Sequence, residues 1–474
     1  MQLTRTDVAV IGAGTAGLAA YRAARAAGRR VLLIEGGIHG TTCARVGCMP
    51  SKLLIAPAEA AHSIDRFDAF GLRLEGRVRV DGPAVMARVR RERDRFVGFV
   101  TQGVDAIPAA DKVAGHARFA GDTRLEVTLE DGGSLTIDAR AVVIATGSSP
   151  SRPAAWSALG ERLVVNDDVF EWTDLPSSVA VFGPGVIGLE LGQALHRLGV
   201  RTKIFGRGGG VGPLSDPELL DEARRVFGAE FYLDTDAQAE VTRDGSQVMV
   251  RYRALDGHAR VEHFDYLLAA TGRRPNLARL NLEATSLVRD AQGVPFFDRE
   301  TLQCGAAPIF IAGDVDNDVP LLHEAADEGR IAGDNAARHP EVRKGLRRAP
   351  LGIVFTDPQI AIVGGGHRDL RDTPHVTGVV SFEDQGRSRV MLRNRGRLHV
   401  YADARSGALL GAEMIGPDAE HLAHLLAWAV QLDLSVADML KLPFYHPVVE
   451  EGLRTALRDA FAKLEVARRE RDAA

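Results

Sequence analysis

The sequence predicts an α/β protein with two Rossmann-like nucleotide domains and a C-terminal α+β domain. Three observations predict it. A glycine-rich fingerprint between apolar strands occurs twice, at Gly12-x-Gly14-x-x-Gly17 and at Gly183-x-Gly185-x-x-Gly188. Two apolar strands each run into Ala-Thr-Gly, over residues 141–147 and 266–272. Towards the C-terminus, short strands such as 409–415 alternate with helices such as 421–430. The 474 residues are enough for about three domains. We place these at 1–150, 151–275 and 346–474, with 276–345 returning to the first.

The first fingerprint follows the strand Asp7–Ile11 and opens a helix that runs through Ala27. A second strand then ends at Glu35. Each glycine has a reason. Gly12 permits the tight turn, Gly14 lets the backbone approach a pyrophosphate, and Gly17 lets helix and strand pack closely. The helix N-terminus faces the phosphates. Glu35 can accept hydrogen bonds from both ribose hydroxyls. One such fingerprint is weak on its own; two, each bracketed by apolar strands, are strong.

The second copy differs in one place. Glu35 lies eighteen residues after Gly17, but the residue eighteen after Gly188 is Gly206, and Arg207 follows. An acid there favours NAD, because it would repel a 2′-phosphate. Its absence lifts that exclusion, and Arg207 can pair with a phosphate. The other reading of 207–210 is a mobile surface loop with a solvated arginine. The coenzyme, NAD or NADP, stays open.

The Ala-Thr-Gly segments mark where the chain leaves each nucleotide domain, making Thr146, Gly147 and Gly272 candidate cofactor contacts. A third strand, 310–312, ends in Gly313-Asp314, whose carboxylate can hold a polyhydroxyl chain or serve as a turn former.

Cys43 and Cys48 lie between Gly40 and Lys52, just after the first unit. The only other cysteine is Cys304, read as inert. In a regular helix, Cα atoms five positions apart are about 8–9 Å from each other, beyond the roughly 7 Å that a disulfide spans. If the two pair, the turn between them is distorted. Gly47 supplies freedom and Pro50 is expected to stop the helix.

Composition excludes several classes. The net charge is −5 with 26% charged residues, so no basic field points to nucleic acid. Three cysteines are too few for a secreted disulfide framework. No stretch of eighteen apolar residues suggests a membrane span, and the first strand starts too early for a leader peptide. A cytoplasmic protein without a metal site is expected. Residues 55–105, including the charged stretch 85–96, read as exposed helices on the first domain. The tail after Lys463 reads as frayed.

Pro443-Phe-Tyr-His446-Pro447 precedes a helix opening at Glu450 and carries the histidine with the clearest carboxylate partner, Glu451. A carboxylate on the far ring nitrogen would fix the tautomer and stabilise the imidazolium. Lys52, four residues after Cys48, and Glu190, read as lying in a helix first turn, are further candidates.

Together these motifs resemble the FAD-dependent pyridine nucleotide-disulfide oxidoreductases over essentially the whole chain, and most of all the dihydrolipoyl dehydrogenases. The resemblance implies FAD held by Gly12, Gly14, Gly17 and Glu35, with Asp314 on the ribityl chain. It implies Gly183, Gly185 and Gly188 at the NAD(P) pyrophosphate and Lys52 near the flavin, paired with Glu190. Cys43 would be the outer thiol that exchanges with substrate and Cys48 the inner thiol of a redox disulfide. His446, oriented by Glu451, would be the acid–base residue, contributed by the other subunit of a homodimer whose dimerisation domain is the C-terminal unit. The implied reaction oxidises dihydrolipoyl groups, with a lipoyl-bearing protein as partner. The alternative is an NADPH-dependent reductase of a small disulfide, such as glutathione disulfide. A mercuric reductase is disfavoured because no cysteine follows Cys304. Val448 and Tyr445 depart from the family pattern beside His446, where a threonine and a small residue are usual.

Overall fold

The computed structural model describes residues 2–473. The fold is α/β, and the chain forms two compact units. The first comprises residues up to Pro50, Arg90–Ser151 and Arg273–Arg348. Its eight-stranded sheet has the order Gln2–Arg5, Ser134–Asp138, Arg124–Leu129, Lys112–Phe119, Val31–Glu35, Val8–Ile11, Ala141–Ile144, Ile309–Ile311. The strands from Lys112–Phe119 to Ile309–Ile311 are parallel, and Val8 pairs with both Val31 and Ala141. Strands buried on both faces read as continuous apolar runs, which is why 8–11 and 141–144 were visible in the sequence.

The helix Thr15–Ala26 covers this sheet together with Leu322–Arg338. Their contact is very close: a Cβ on Gly329 would lie 2.1 Å from the Ala16 carbonyl oxygen, and one on Gly333 would lie 2.2 Å from that of Ala20. Glycines one turn apart on one helix therefore let two backbones touch, and any side chain there would force them apart.

The second unit comprises Ser51–Val89, Arg152–Gly272 and the chain from Ala349 onward. Its parallel sheet has the order Tyr232–Asp234, Arg201–Phe205, Ser178–Phe182, Tyr266–Ala269, Leu163–Val164. A three-stranded antiparallel sheet, Ala239–Asp244, Gln247–Arg253 and Ala259–Phe264, follows it. The C-terminal segment builds an antiparallel five-stranded sheet covered by Ala419–Gln431 and Glu450–Ala473.

Three expectations need correction. Pro50 does not stop a helix; it sits in the first turn of Cys48–His62, where a missing N–H costs nothing. The helix Gly82–Asp105 does not belong to the first unit throughout, since its residues up to Val89 cluster with the second. The tail is not frayed after Lys463: the last helix continues to Ala473, with Leu464 against the core and Arg471 donating to the Ala404 carbonyl at 2.7 Å. Among the described residues, no helix is long and apolar enough to cross a membrane.

Candidate active site

The two glycine-rich turns are built alike. Gly12 has φ +107° and Gly183 has φ +112°, a region that side chains disfavour. A Cβ at either would lie 2.3 Å from a carbonyl oxygen, that of Ala145 in the first and Ala270 in the second. These are the alanines of the two Ala-Thr-Gly segments, so the repeat braces each turn from the neighbouring strand. A Cβ on Gly17 or Gly188 would lie 1.8 Å from the carbonyl oxygen of Gly12 or Gly183. In contrast, Gly14 and Gly185 face open space at the start of their helices, with nothing within 4 Å of a Cβ. The residues therefore fit a dinucleotide at both places: two tight turns, an uncrowded glycine, and a helix N-terminus aimed at an anion.

Glu35 is held at the first turn. Its Oε2 accepts from Ala13 N at 2.7 Å and its Oε1 from Gly37 N at 2.7 Å. Each oxygen keeps a lone pair for a ribose hydroxyl. The Thr146 hydroxyl is spent on the Asn276 carbonyl at 2.9 Å, and the Gly147 carbonyl accepts from Asn276 N at 2.9 Å. Both tie together the paired segments Ser148–Pro150 and Arg273–Pro275. Gly272, which closes the other Ala-Thr-Gly segment, has φ +105° and open space around it.

Gly313 N donates to the buried Glu328 Oε2 at 2.8 Å. Asp314 accepts from the Ser148 hydroxyl at 2.8 Å, and Arg273 Nε donates to that hydroxyl at 2.8 Å. Ser148, Arg273 and Glu328 were not foreseen; they come from distant segments and carry no local pattern.

The cysteines flank a break in the helix. Cys43 lies in Thr42–Val46, Gly47 leaves helical geometry with φ −128° and ψ −116°, and Cys48 opens Cys48–His62. A Cβ on Gly47 would sit 3.2 Å from the Cys43 Cα. The chain thus folds back over Cys43 immediately before Cys48. Cys43 is half-buried and Cys48 exposed. Cys304 is fully buried, and burial pushes its thiol up to about 12, with the charge of Asp316 adding to the effect.

In the second unit, Glu190 lies beyond the first turn of Val186–Arg197, not in it as expected, and Lys52 Nζ lies 2.8 and 2.9 Å from its two carboxylate oxygens. The Glu190 side chain is 4% exposed and that of Lys52 31%. Phe355 completes the group: its N–H donates to Glu190 Oε1 at 3.0 Å, and its ring lies 4.4 Å beneath the ammonium. Phe355 was missed, because a backbone donor and a ring 165 residues from Glu190 leave no trace in spacing.

His446 Nδ1 lies 2.9 Å from Glu451 Oε2, and Arg454 donates to Glu451 Oε1 at 2.9 Å. Burial pushes the Glu451 carboxyl up, but hydrogen bonds from His446 and Val448 N and the charges of His446 and Arg454 hold it below the usual range. The imidazole is 81% exposed. Leu425, Trp428, Leu432, Leu442 and Tyr445 of the same segment are also exposed. Arg454 was missed, though its i+3 spacing from Glu451 on one helix was a readable signal.

The missing acid of the second copy has a packing cause. A Cβ at Gly206 would lie 2.7 Å from Pro184 Cγ and 2.8 Å from the Thr235 carbonyl oxygen. Pro184, between the first two glycines of the second fingerprint, and the Thr235 carbonyl occupy the space. Arg207 is exposed and makes no ion pair among the described residues. Its loop is tied down: Gly208 N donates to Asp236 at 2.8 Å and Gly209 N to the Thr235 carbonyl at 2.9 Å. Thus Cys43, Cys48, the first turn and Asp314 lie in the first unit, and Lys52, Glu190, the second turn, Arg207, His446 and Glu451 in the second.

The sequence profile of the family described as pyridine nucleotide-disulphide oxidoreductase matches residues 6–329, and that of its dimerisation domain matches residues 351–457. Dihydrolipoyl dehydrogenase 3 of Pseudomonas aeruginosa is 31% identical, covering 96% of this chain and 98% of that one. A mercuric reductase of Streptomyces lividans is also 31% identical, covering 96% of each. The crystal structure of LpdA from Mycobacterium tuberculosis superposes with a TM-score of 0.81 at 26% identity, covering 96% of this chain and 99% of that one.

Proposed function

Because the chain belongs to the pyridine nucleotide-disulphide oxidoreductases, enzymes that use FAD and NAD(P), we propose that it oxidises dihydrolipoyl groups through a redox pair formed by Cys43 and Cys48. The observation that carries this reading is the fold-back at Gly47, which brings the backbone ahead of Cys48 against Cys43. FAD, when bound, supplies an electron carrier between nicotinamide and sulfur.

In this reading the substrate dithiol is converted to a disulfide. Two electrons and one proton leave as hydride on the nicotinamide, and the second proton passes to solvent. Cys43 exchanges with the substrate sulfur, and Cys48 closes the internal disulfide. The position of Cys48 at a helix N-terminus favours its thiolate. His446 takes the proton of the incoming thiol on Nε2, since Glu451 occupies Nδ1. Lys52, fixed by Glu190, supports the flavin side of the exchange.

An acid–base residue this exposed, within an exposed apolar segment, is expected to be covered by a second subunit. The dimerisation domain supports a homodimer. The lipoyl group would arrive on a carrier protein, in a cytoplasmic setting.

A second reading is an NADPH-dependent reductase of a small disulfide. Gly206, and Arg207 with no ion pair among the described residues, favour it, because position 206 itself carries no acid to repel a 2′-phosphate. Steady-state rates separate the two. Dihydrolipoamide is offered with NAD+ and with NADP+, and lipoamide and glutathione disulfide are each offered with NADH and with NADPH. The first reading requires dihydrolipoamide turnover to dominate; glutathione disulfide turnover with NADPH would replace it by the second.

A further inference from the structure

We propose that Arg454 is a positioning residue that divides Glu451 between itself and His446, fixing the carboxylate and keeping the imidazole proton labile. The inference rests on the reading of His446 as the acid–base residue.

Glu451 has two oxygens and two strong partners. Oε2 faces His446 Nδ1 at 2.9 Å and Oε1 faces Arg454 Nη2 at 2.9 Å. The Val448 N–H, at 3.4 Å from Oε2, adds a weaker third contact. The Arg454 guanidinium also lies 5.8 Å from the centre of the Phe444 ring. The loop at 444–448 and the helix from Glu450 are thus joined at one carboxylate. The charged groups that hold this carboxylate are His446 and Arg454.

The arrangement has a chemical consequence. A carboxylate committed to the imidazole alone would hold the imidazolium tightly and make a poor proton donor in the return step. A guanidinium on the other oxygen draws off part of that charge and repels the imidazolium. Arginine suits the task because it stays charged at any working pH. An ordinary i, i+3 helix pair would add a few tenths of a kilocalorie and leave proton transfer alone, so the two roles predict different results.

The test uses the flavin-loaded dimer with 13C-labelled histidine. The signal that disappears in His446→Gln identifies the ring. Removal of the positive charge in Arg454→Met should raise the titration midpoint of that signal by about half a pH unit. The acid limb of the dihydrolipoamide kcat profile should move by the same amount, about threefold in rate on that limb. Arg454→Lys should restore both. Arg454→Gln serves if Arg454→Met does not fold. An unmoved or lowered ring midpoint in a folded charge-removing variant overturns the inference. A raised midpoint in an enzyme that does not turn over dihydrolipoamide upholds the inference and overturns the dithiol reading.

Discussion

Substitution of Lys52 by methionine isolates the energetics of the buried ion pair. The Glu190 carboxylate is 4% exposed and, among the described residues, would keep only the Phe355 N–H. Stranding one partner of a buried pair costs about 3–5 kcal/mol, and the partial exposure of Lys52 lowers this to about 2–3 kcal/mol. The stranded carboxylate can escape by taking up a proton, at about 1.4 kcal/mol for each pH unit above the ordinary glutamate value of about 4.3. The sign follows. The folded variant holds a proton that the unfolded chain releases, so stability falls as pH rises above that value. The loss should be about 1 kcal/mol at pH 5 and the full 2–3 kcal/mol at pH 8. Urea midpoints with saturating FAD, taken for wild type and variant at both pH values, measure it. Adding Glu190→Gln removes the stranded charge while the amide oxygen still accepts from Phe355, so the double variant should recover most of the loss at pH 8. Equal losses at the two pH values, or a double variant no more stable than the single one, would refute the reasoning.

Three other outcomes are expected. His446→Gln should lower the dihydrolipoamide rate at neutral pH by about 10²–10⁴-fold, the usual worth of a positioned base, as measured by initial rates. Gly14→Val should give folded protein without flavin, because its side chain would fill the open space at the first turn, whereas Gly185→Val should keep flavin and weaken coenzyme binding; absorbance of the purified protein and KM for the coenzyme distinguish them. The buried Asp316 carboxyl is pushed up, first by burial and then by the neighbouring Glu328. Stability it costs is therefore absent below its ordinary value of 3.8 and grows as pH rises beyond it. Asp316→Asn should raise the melting temperature at pH 8 more than at pH 5.

The parts of this account legible in the sequence were those written locally. Both glycine-rich turns were, since each glycine's task is set by residues within one βαβ unit. The Ala-Thr-Gly repeats were visible as pattern, but their role as braces against Gly12 and Gly183 needed coordinates. The absent acid at 206 was plain; its cause, Pro184 filling the space, depends on a contact across the turn. Lys52 and Glu190 could be paired only through the family resemblance, because 138 residues separate them. Pro50 was misjudged by treating a first-turn proline as an interior one. The tail was misjudged because a charged run conceals anchors such as Leu464 and Arg471.

The central claim is that Cys43 and Cys48 store an electron pair beyond the pair held by the flavin. Anaerobic reductive titration of the purified flavoprotein counts electrons directly. The account predicts four electrons per flavin for wild type and two for Cys48→Ser. Two electrons per flavin in wild type would contradict it.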